Sequence, residues 1–211
     1  MTAVEPHHVT AWQVQSLLIG YPDDRFASRV PLLRAVTATL PAPLGRPLAS
    51  FLDHVRDTSP TGLAAEYVAT FDHRKRFSPY LTYFAYGDTR KRGMALLRFK
   101  HAYRAAGLEL DDGELPDHLA VVLEFAATGD PVVGRRLLVE HRAGLELMRL
   151  GLRETGSPWA HVLASVSATL PPLGRREHEA VARLAAEGPP EEEVGLVPFA
   201  PPEHMPPGGR R

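Results

Sequence analysis

Apolar residues recur along this chain at three- and four-residue intervals, and no β-branched run with strict alternation interrupts them. One face of an α-helix produces that spacing and a strand does not. The pattern therefore predicts an all-α fold, with helices near 9–19, 24–39, 46–57, 60–71, 88–106, 116–127, 131–155, 158–169 and 174–187. The second is expected to break at Pro31, and Pro41 to Pro47 reads as a loop between helices. Ser59-Pro60, Asp130-Pro131 and Ser157-Pro158 each set a side-chain acceptor at an N-cap and a proline at the first helical position, where its missing N–H leaves no bond unmade. Gly107, Gly129, Gly156 and Gly188 stand where helices should stop.

Three stripes mark candidate core faces. Ala95, Phe99, Ala102, Tyr103 and Ala106 form the first, with Lys91, Arg98, His101 and Ala105 on the opposite side. Leu119, Val122, Leu123 and Ala126 form the second, flanked by His118, Val121 and Phe125. The third, Leu137, Leu138, His141, Leu145, Met148 and Leu152, carries a histidine, which a bond to a neighbouring group would satisfy inside a core.

No internal repeat appears at solenoid periods, so a single helical domain over 1–187 is expected. From Gly188 onward seven prolines, four glycines and the acidic triplet Glu191–Glu193 give a composition that does not bury enough apolar surface to offset the entropy of ordering. A disordered tail over 188–211 is the expectation, with Val194, Leu196, Val197 and Phe199 as a short segment able to dock. Residues 1–10 carry neither the basic cluster nor the apolar stretch of a secretory leader, and the most apolar run, 119–127, is short and broken by Glu124. A soluble protein that stays in the cytoplasm is predicted.

The chain holds 24 Lys and Arg against 25 Asp and Glu, so no net field draws it to nucleic acid or anionic lipid. With no cysteine it has no disulfide and no thiolate metal site. Phosphate loops, GxGxxG, HExxH and GxSxG are all absent. Setting Gly113 in an EF-hand register puts Leu108 and Leu119 at ligand positions, which excludes calcium there. None of the ten histidines has a partner at a recognised metal spacing, and no metal or cofactor is expected. Asp117 and Glu124, seven residues apart on a predicted helix face, form a conceivable acid–base pair, although they also serve as the polar side of an otherwise apolar helix.

Charge is segregated along the middle of the chain. Residues 74–104 hold nine Lys or Arg and one acid, Asp88, whereas 105–124 hold six acids and no base. An Arg-Lys-Arg triplet stands on each side of the aromatic segment 77–86, at 74–76 and 90–92. Phe77, Tyr80, Tyr83, Phe84, Tyr86, Phe99 and Tyr103 interleave with these bases, which suits a single-stranded nucleic-acid platform or a protein-binding groove.

Residues 67–107, YVATFDHRKRFSPYLTYFAYGDTRKRGMALLRFKHAYRAAG, followed by ELPDHLAVVLEFAA at 114–127, resemble the NarJ family of nitrate reductase molybdenum cofactor assembly chaperones. LLIGYPDD at 17–24 and the proline-rich end are also similar to that family. The resemblance implies the all-helical bundle of TorD-like redox-enzyme chaperones and no catalysis. It implies that the chain binds a helical N-terminal segment of the apo catalytic subunit of respiratory nitrate reductase in a groove. There it would support molybdenum cofactor insertion before membrane docking, without holding the cofactor stably itself. On the matched motif, Tyr80, Tyr83, Tyr86, Arg90, Arg92, Asp117, His118 and Glu124 become the candidates for facing the partner or shaping the groove. Family members often carry cysteines where this chain has Phe77-Ser78-Pro79, so a thiol role is not needed here. Three readings compete with this one: a nucleic-acid-binding protein using 74–104, a chaperone for a different molybdoenzyme, and a small hydrolase or metal enzyme built on Asp117, His118 and Glu124.

Overall fold

The structure, a computed structural model, describes residues 4–72, 75–110 and 113–190. Among these it is all-α, with eleven helices: α1 (Pro6–Ile19), α2 (Phe26–Thr39), α3 (Ala42–Asp57), α4 (Pro60–Phe71), α5 (Leu81–Tyr86), α6 (Arg90–Ala105), α7 (Leu119–Thr128), α8 (Pro131–Glu140), α9 (Arg142–Glu154), α10 (Trp159–Ala168) and α11 (Arg175–Glu187). A single 3₁₀ turn at Lys75–Phe77 precedes α5.

Helix α1 lies at the centre, packed along α7 and α10 and touching α2 and α3. It is apolar around most of its circumference, with Ala11, Trp12, Val14, Leu18 and Ile19 all buried, and such a helix belongs inside rather than on a surface. Two of its buried polar side chains reach other helices. Trp12 Nε1 donates to Thr169 Oγ1 at 2.9 Å, and Gln15 Nε2 donates to Ser165 Oγ at 2.8 Å. Ser165 in turn donates to the Leu44 carbonyl at 2.9 Å, so one hydroxyl joins α1, α10 and α3. Phe51, Tyr67 and Phe71 surround Trp159 at ring separations of 5.5, 5.7 and 5.6 Å.

Two of the three proline-marked caps form: Ser59 Oγ accepts from the Gly62 N–H, and Asp130 Oδ1 accepts from both Val132 and Val133. The third does not, because α10 begins after Pro158 and the buried Ser157 hydroxyl finds no partner; the Ser157 carbonyl serves instead, accepting from Ala160.

Three other expectations are corrected. Helix α2 runs through Pro31 without a break. Pro31 and Ala27, whose carbonyl loses its intrahelical partner, are both exposed, so solvent replaces the missing bond. Residues 41–47 are not a loop, since α3 starts at Ala42 with Pro43 in its first turn, where no N–H is required. The predicted helix 131–155 divides at His141 into α8 and α9. There the His141 Nδ1 lies 2.9 Å from the Leu137 carbonyl, taking the acceptor that the His141 backbone N–H would use in an unbroken helix.

Candidate functional site

The segment between α4 and α7 builds the site nominated from sequence. Pro79 to Leu81 pairs with Asp117 to Leu119: Leu81 N–H donates to the Asp117 carbonyl at 3.0 Å and Leu119 N–H to the Pro79 carbonyl at 2.8 Å. This short antiparallel bridge, centred on Tyr80 and His118, fixes the start of α5 against the start of α7. Tyr103 on α6 reinforces it by donating its hydroxyl to the Pro116 carbonyl, and burial pushes that phenol above its ordinary range.

Asp117 is completely buried. Its Oδ2 accepts from the Thr82 N–H at 3.1 Å and from the Thr82 hydroxyl. Arg92 closes the group: its Nε donates to Thr82 Oγ1 at 3.1 Å, one terminal nitrogen stands 3.6 Å from Asp117 Oδ2, and the other reaches Asp88 at 3.3 Å. The guanidinium lies 5.5 Å from the centroid of the Tyr80 ring, which meets His118 edge to face at 5.3 Å. Burial first, and the nearby Asp117 carboxylate second, push the Tyr80 hydroxyl up. His118 is the N-cap of α7, its Nδ1 accepting from the Ala120 N–H at 3.2 Å, and burial holds its pKa below 6.5. The acceptor role requires an unprotonated Nδ1, so cap and burial favour the same neutral ring.

Tyr80, Arg92, Asp117 and His118 are thus one contiguous group, with Thr82 as a member that the sequence reading missed. A threonine two residues past a nominated tyrosine carried no distinguishing signal. The remaining candidates lie elsewhere. Tyr83 lines a cleft of about 430 Å³ with Lys75, Arg76, Phe84, Leu147 and Leu184. Tyr86 is half-buried near the end of α5, and Arg90 is exposed at the start of α6. Glu124 is exposed and borders a smaller hollow of about 210 Å³ with Tyr103, Leu108 and Phe125.

Two chemical readings lose support on this geometry. Asp117 lies ahead of the N-cap of α7, so the seven-residue helical spacing to Glu124 does not exist, and its carboxylate is turned to Thr82 and Arg92. The nucleic-acid platform loses four of its seven rings, since Phe77, Phe84, Phe99 and Tyr103 are core residues while Tyr80, Tyr83 and Tyr86 stay partly exposed. Four of its bases are engaged, Lys75 and Arg92 with Asp88, Arg76 with Glu154, and Arg98 with Glu140. Arg74 of the first triplet lies outside the described residues, as do Asp111, Asp112 and the apolar residues expected to dock from the tail.

One group among the described residues brings metal-ligating atoms together, Glu5, His7 and His8, within 4.8 Å of one another. His7 Nε2 already meets a Glu5 carboxylate oxygen at 2.8 Å at the partly exposed start of α1, an ordinary surface contact. A cleft of about 570 Å³ opens between the α1–α2 turn, α2, the end of α3 and the start of α4, lined by Tyr21, Phe26, Val30, Val55 and Leu63 among others. It takes Tyr21 to Asp24 from the LLIGYPDD element, the signal that could have pointed to it. No helix among the described residues is long and apolar enough to cross a membrane.

A family model described as "Nitrate reductase delta subunit" matches residues 37–165. The chain is 40% identical over 158 residues to the nitrate reductase-like protein NarX of Mycobacterium tuberculosis, a match that takes in 75% of this chain and 24% of that relative. It is 31% identical over 163 residues to the probable nitrate reductase molybdenum cofactor assembly chaperone NarJ of Bacillus subtilis, covering 77% of this chain and 89% of the relative. The corresponding NarJ of Escherichia coli is 32% identical over 117 residues, 54% of this chain and 50% of that protein. The chain therefore spans about a quarter of the mycobacterial relative's length but most of the Bacillus one.

Proposed function

This chain belongs to the nitrate reductase delta subunit family, and on that premise we propose that it is a non-catalytic assembly chaperone for nitrate reductase. It binds the apo catalytic subunit through that subunit's helical N-terminal segment and supports molybdenum cofactor insertion in the cytoplasm before membrane docking. A helical domain over 1–187 performs the binding, followed by the tail 188–211. The observation that carries the reading is the match to a NarJ assembly chaperone over 89% of that relative's length.

The geometry supports recognition rather than reaction. Asp117 and His118, the titratable residues nominated nearest the aromatic segment, are spent on Thr82, Arg92 and the cap of α7. Apolar clefts walled by Tyr, Phe and Leu with charged residues at their edges are what an amphipathic helix needs.

Calorimetric titration of the protein with a synthetic peptide from the N-terminus of the same organism's nitrate reductase catalytic subunit tests the proposal. Saturable binding with a negative heat-capacity change, little altered by salt, is the expected result. Absence of binding by a folded protein, to this peptide and to the intact apo subunit, refutes it. Preferential binding of another molybdoenzyme's N-terminus would move the assignment to that client.

A further inference from the structure

Helix α11 is seated on α9 but buries none of its own residues, even though Ala180, Val181 and Leu184 face the body and are partly covered. The seat itself is carefully shaped. Gly144 and Gly151 of α9 let Phe84 and Phe77 approach so closely that a Cβ on either glycine would stand 2.7 Å from the facing ring. This brings α5 and the 3₁₀ turn down onto α9 and leaves a trough whose floor is Leu147 and whose far wall is Tyr83 and Phe84.

The side that α11 presents to the trough is small: Leu184, Ala185, Gly188 and Pro189 leave about 430 Å³ unfilled. Beyond them the chain passes close to Gly87, whose φ is +57° and where a Cβ would lie 1.8 Å from the Pro190 carbonyl oxygen. The trough is an open cleft with an apolar floor and far wall, and α11 borders it without burying a residue of its own, so apolar surface stays in water that a better-fitting helix would cover. The family match takes in residues 37–165, so the floor on α9 and the wall on α5 both lie within it.

We propose that the trough between α5 and α9 is the seat of an amphipathic partner helix, and that α11 is its displaceable intramolecular occupant. The partner helix presents Leu, Met or Phe where α11 has Ala185 and Gly188, fills the space against Tyr83, Phe84 and Leu147, and moves α11 aside. The identity of that helix as the client's N-terminal segment rests on the function proposed above. Apparent affinity is then the intrinsic affinity reduced by the fraction of molecules with α11 open.

Hydrogen exchange on the full chain tests this, with and without the synthetic client peptide. In the free protein α11 is expected to exchange faster than α9, and added peptide is expected to protect 81–86 and 142–154 while deprotecting 175–187. In parallel, Ala185→Phe should fill the trough from the α11 side, protect α11 without lowering Tm, and weaken peptide binding by about tenfold or more. Leu184→Asp should loosen α11 and tighten binding. Peptide bound with protection only around Tyr21 and Leu63, or bound equally well by all three proteins, overturns the displacement and leaves the chaperone assignment standing. No binding of the peptide by the wild type or by either variant overturns the displacement, and failure to bind the intact apo subunit as well overturns the chaperone assignment with it.

Discussion

Asp117 illustrates how much a single buried carboxylate holds together here. Replacing it with alanine strips Thr82 of the acceptor for its N–H and hydroxyl and leaves the half-buried Arg92 without its opposite charge. Breaking a buried pair from one side costs about 3–5 kcal/mol, so Asp117→Ala is expected to lower Tm by roughly ten degrees in thermal unfolding. An unchanged Tm would show that the group is not structural. Removing the charge while keeping the shape, Asp117→Asn, should fall between that variant and the wild type.

His118 adds a pH dependence with a definite sign. Burial lowers its folded-state pKa below 6.5, and it does the same for His141. Below pH 6.5 the unfolded chain therefore binds protons that the folded chain refuses. Stability is fully present above about 6.5 and is lost as pH falls through that value toward the lower folded pKa. Melting curves from pH 7.5 to 5 should fall over that interval, and His118→Asn, which caps without titrating, should flatten the fall. A decline as steep as the wild type's would remove His118 from the explanation.

Between elements, close approach is governed by glycines. Gly134 faces the α7 backbone, where a Cβ would stand 2.5 Å from Ala126 Cα, so Gly134→Ala must push α8 off α7 and is expected to destabilise by about 1–3 kcal/mol. Gly93, inside α6 and exposed, has nothing within 4 Å of its virtual Cβ, so Gly93→Ala should stabilise by about 0.5–1 kcal/mol through helix propensity alone. Denaturant midpoints of opposite sign for the two variants check the contrast. Single-sequence reading placed α4 at the bounds observed and α6, α7, α10 and α11 to within three residues, because their apolar stripes and stop signals coincide. It missed α5, six residues long and too short to display a period, and it fused α8 with α9, whose stripe continues through the break at His141.

For the whole molecule, the relay from Gln15 through Ser165 to the Leu44 carbonyl joins helices some 150 residues apart in sequence. Ser165→Ala should leave the buried Gln15 amide and the Leu44 carbonyl short of a partner and lower stability by about 1–3 kcal/mol. Adding Gln15→Leu removes a second polar group from the same site. The double variant should therefore lose less than the two single losses summed, by about 0.5–3 kcal/mol in a double-mutant cycle. Strict additivity would mean that the three helices are not coupled through that hydroxyl.

The helical class, most helix positions and the family are written along the chain, because period, caps and an ordered run of identities are local properties that need no packing to be read. It took the packed helices to show that Asp117 faces Thr82 and Arg92 rather than Glu124, that four of the seven aromatics of the basic stretch are core, and that α11 borders an unfilled trough. Each depends on which residues distant in sequence meet. Burial converts a polar or aromatic residue from a surface contact into a structural one, and no pattern along a single chain records that meeting.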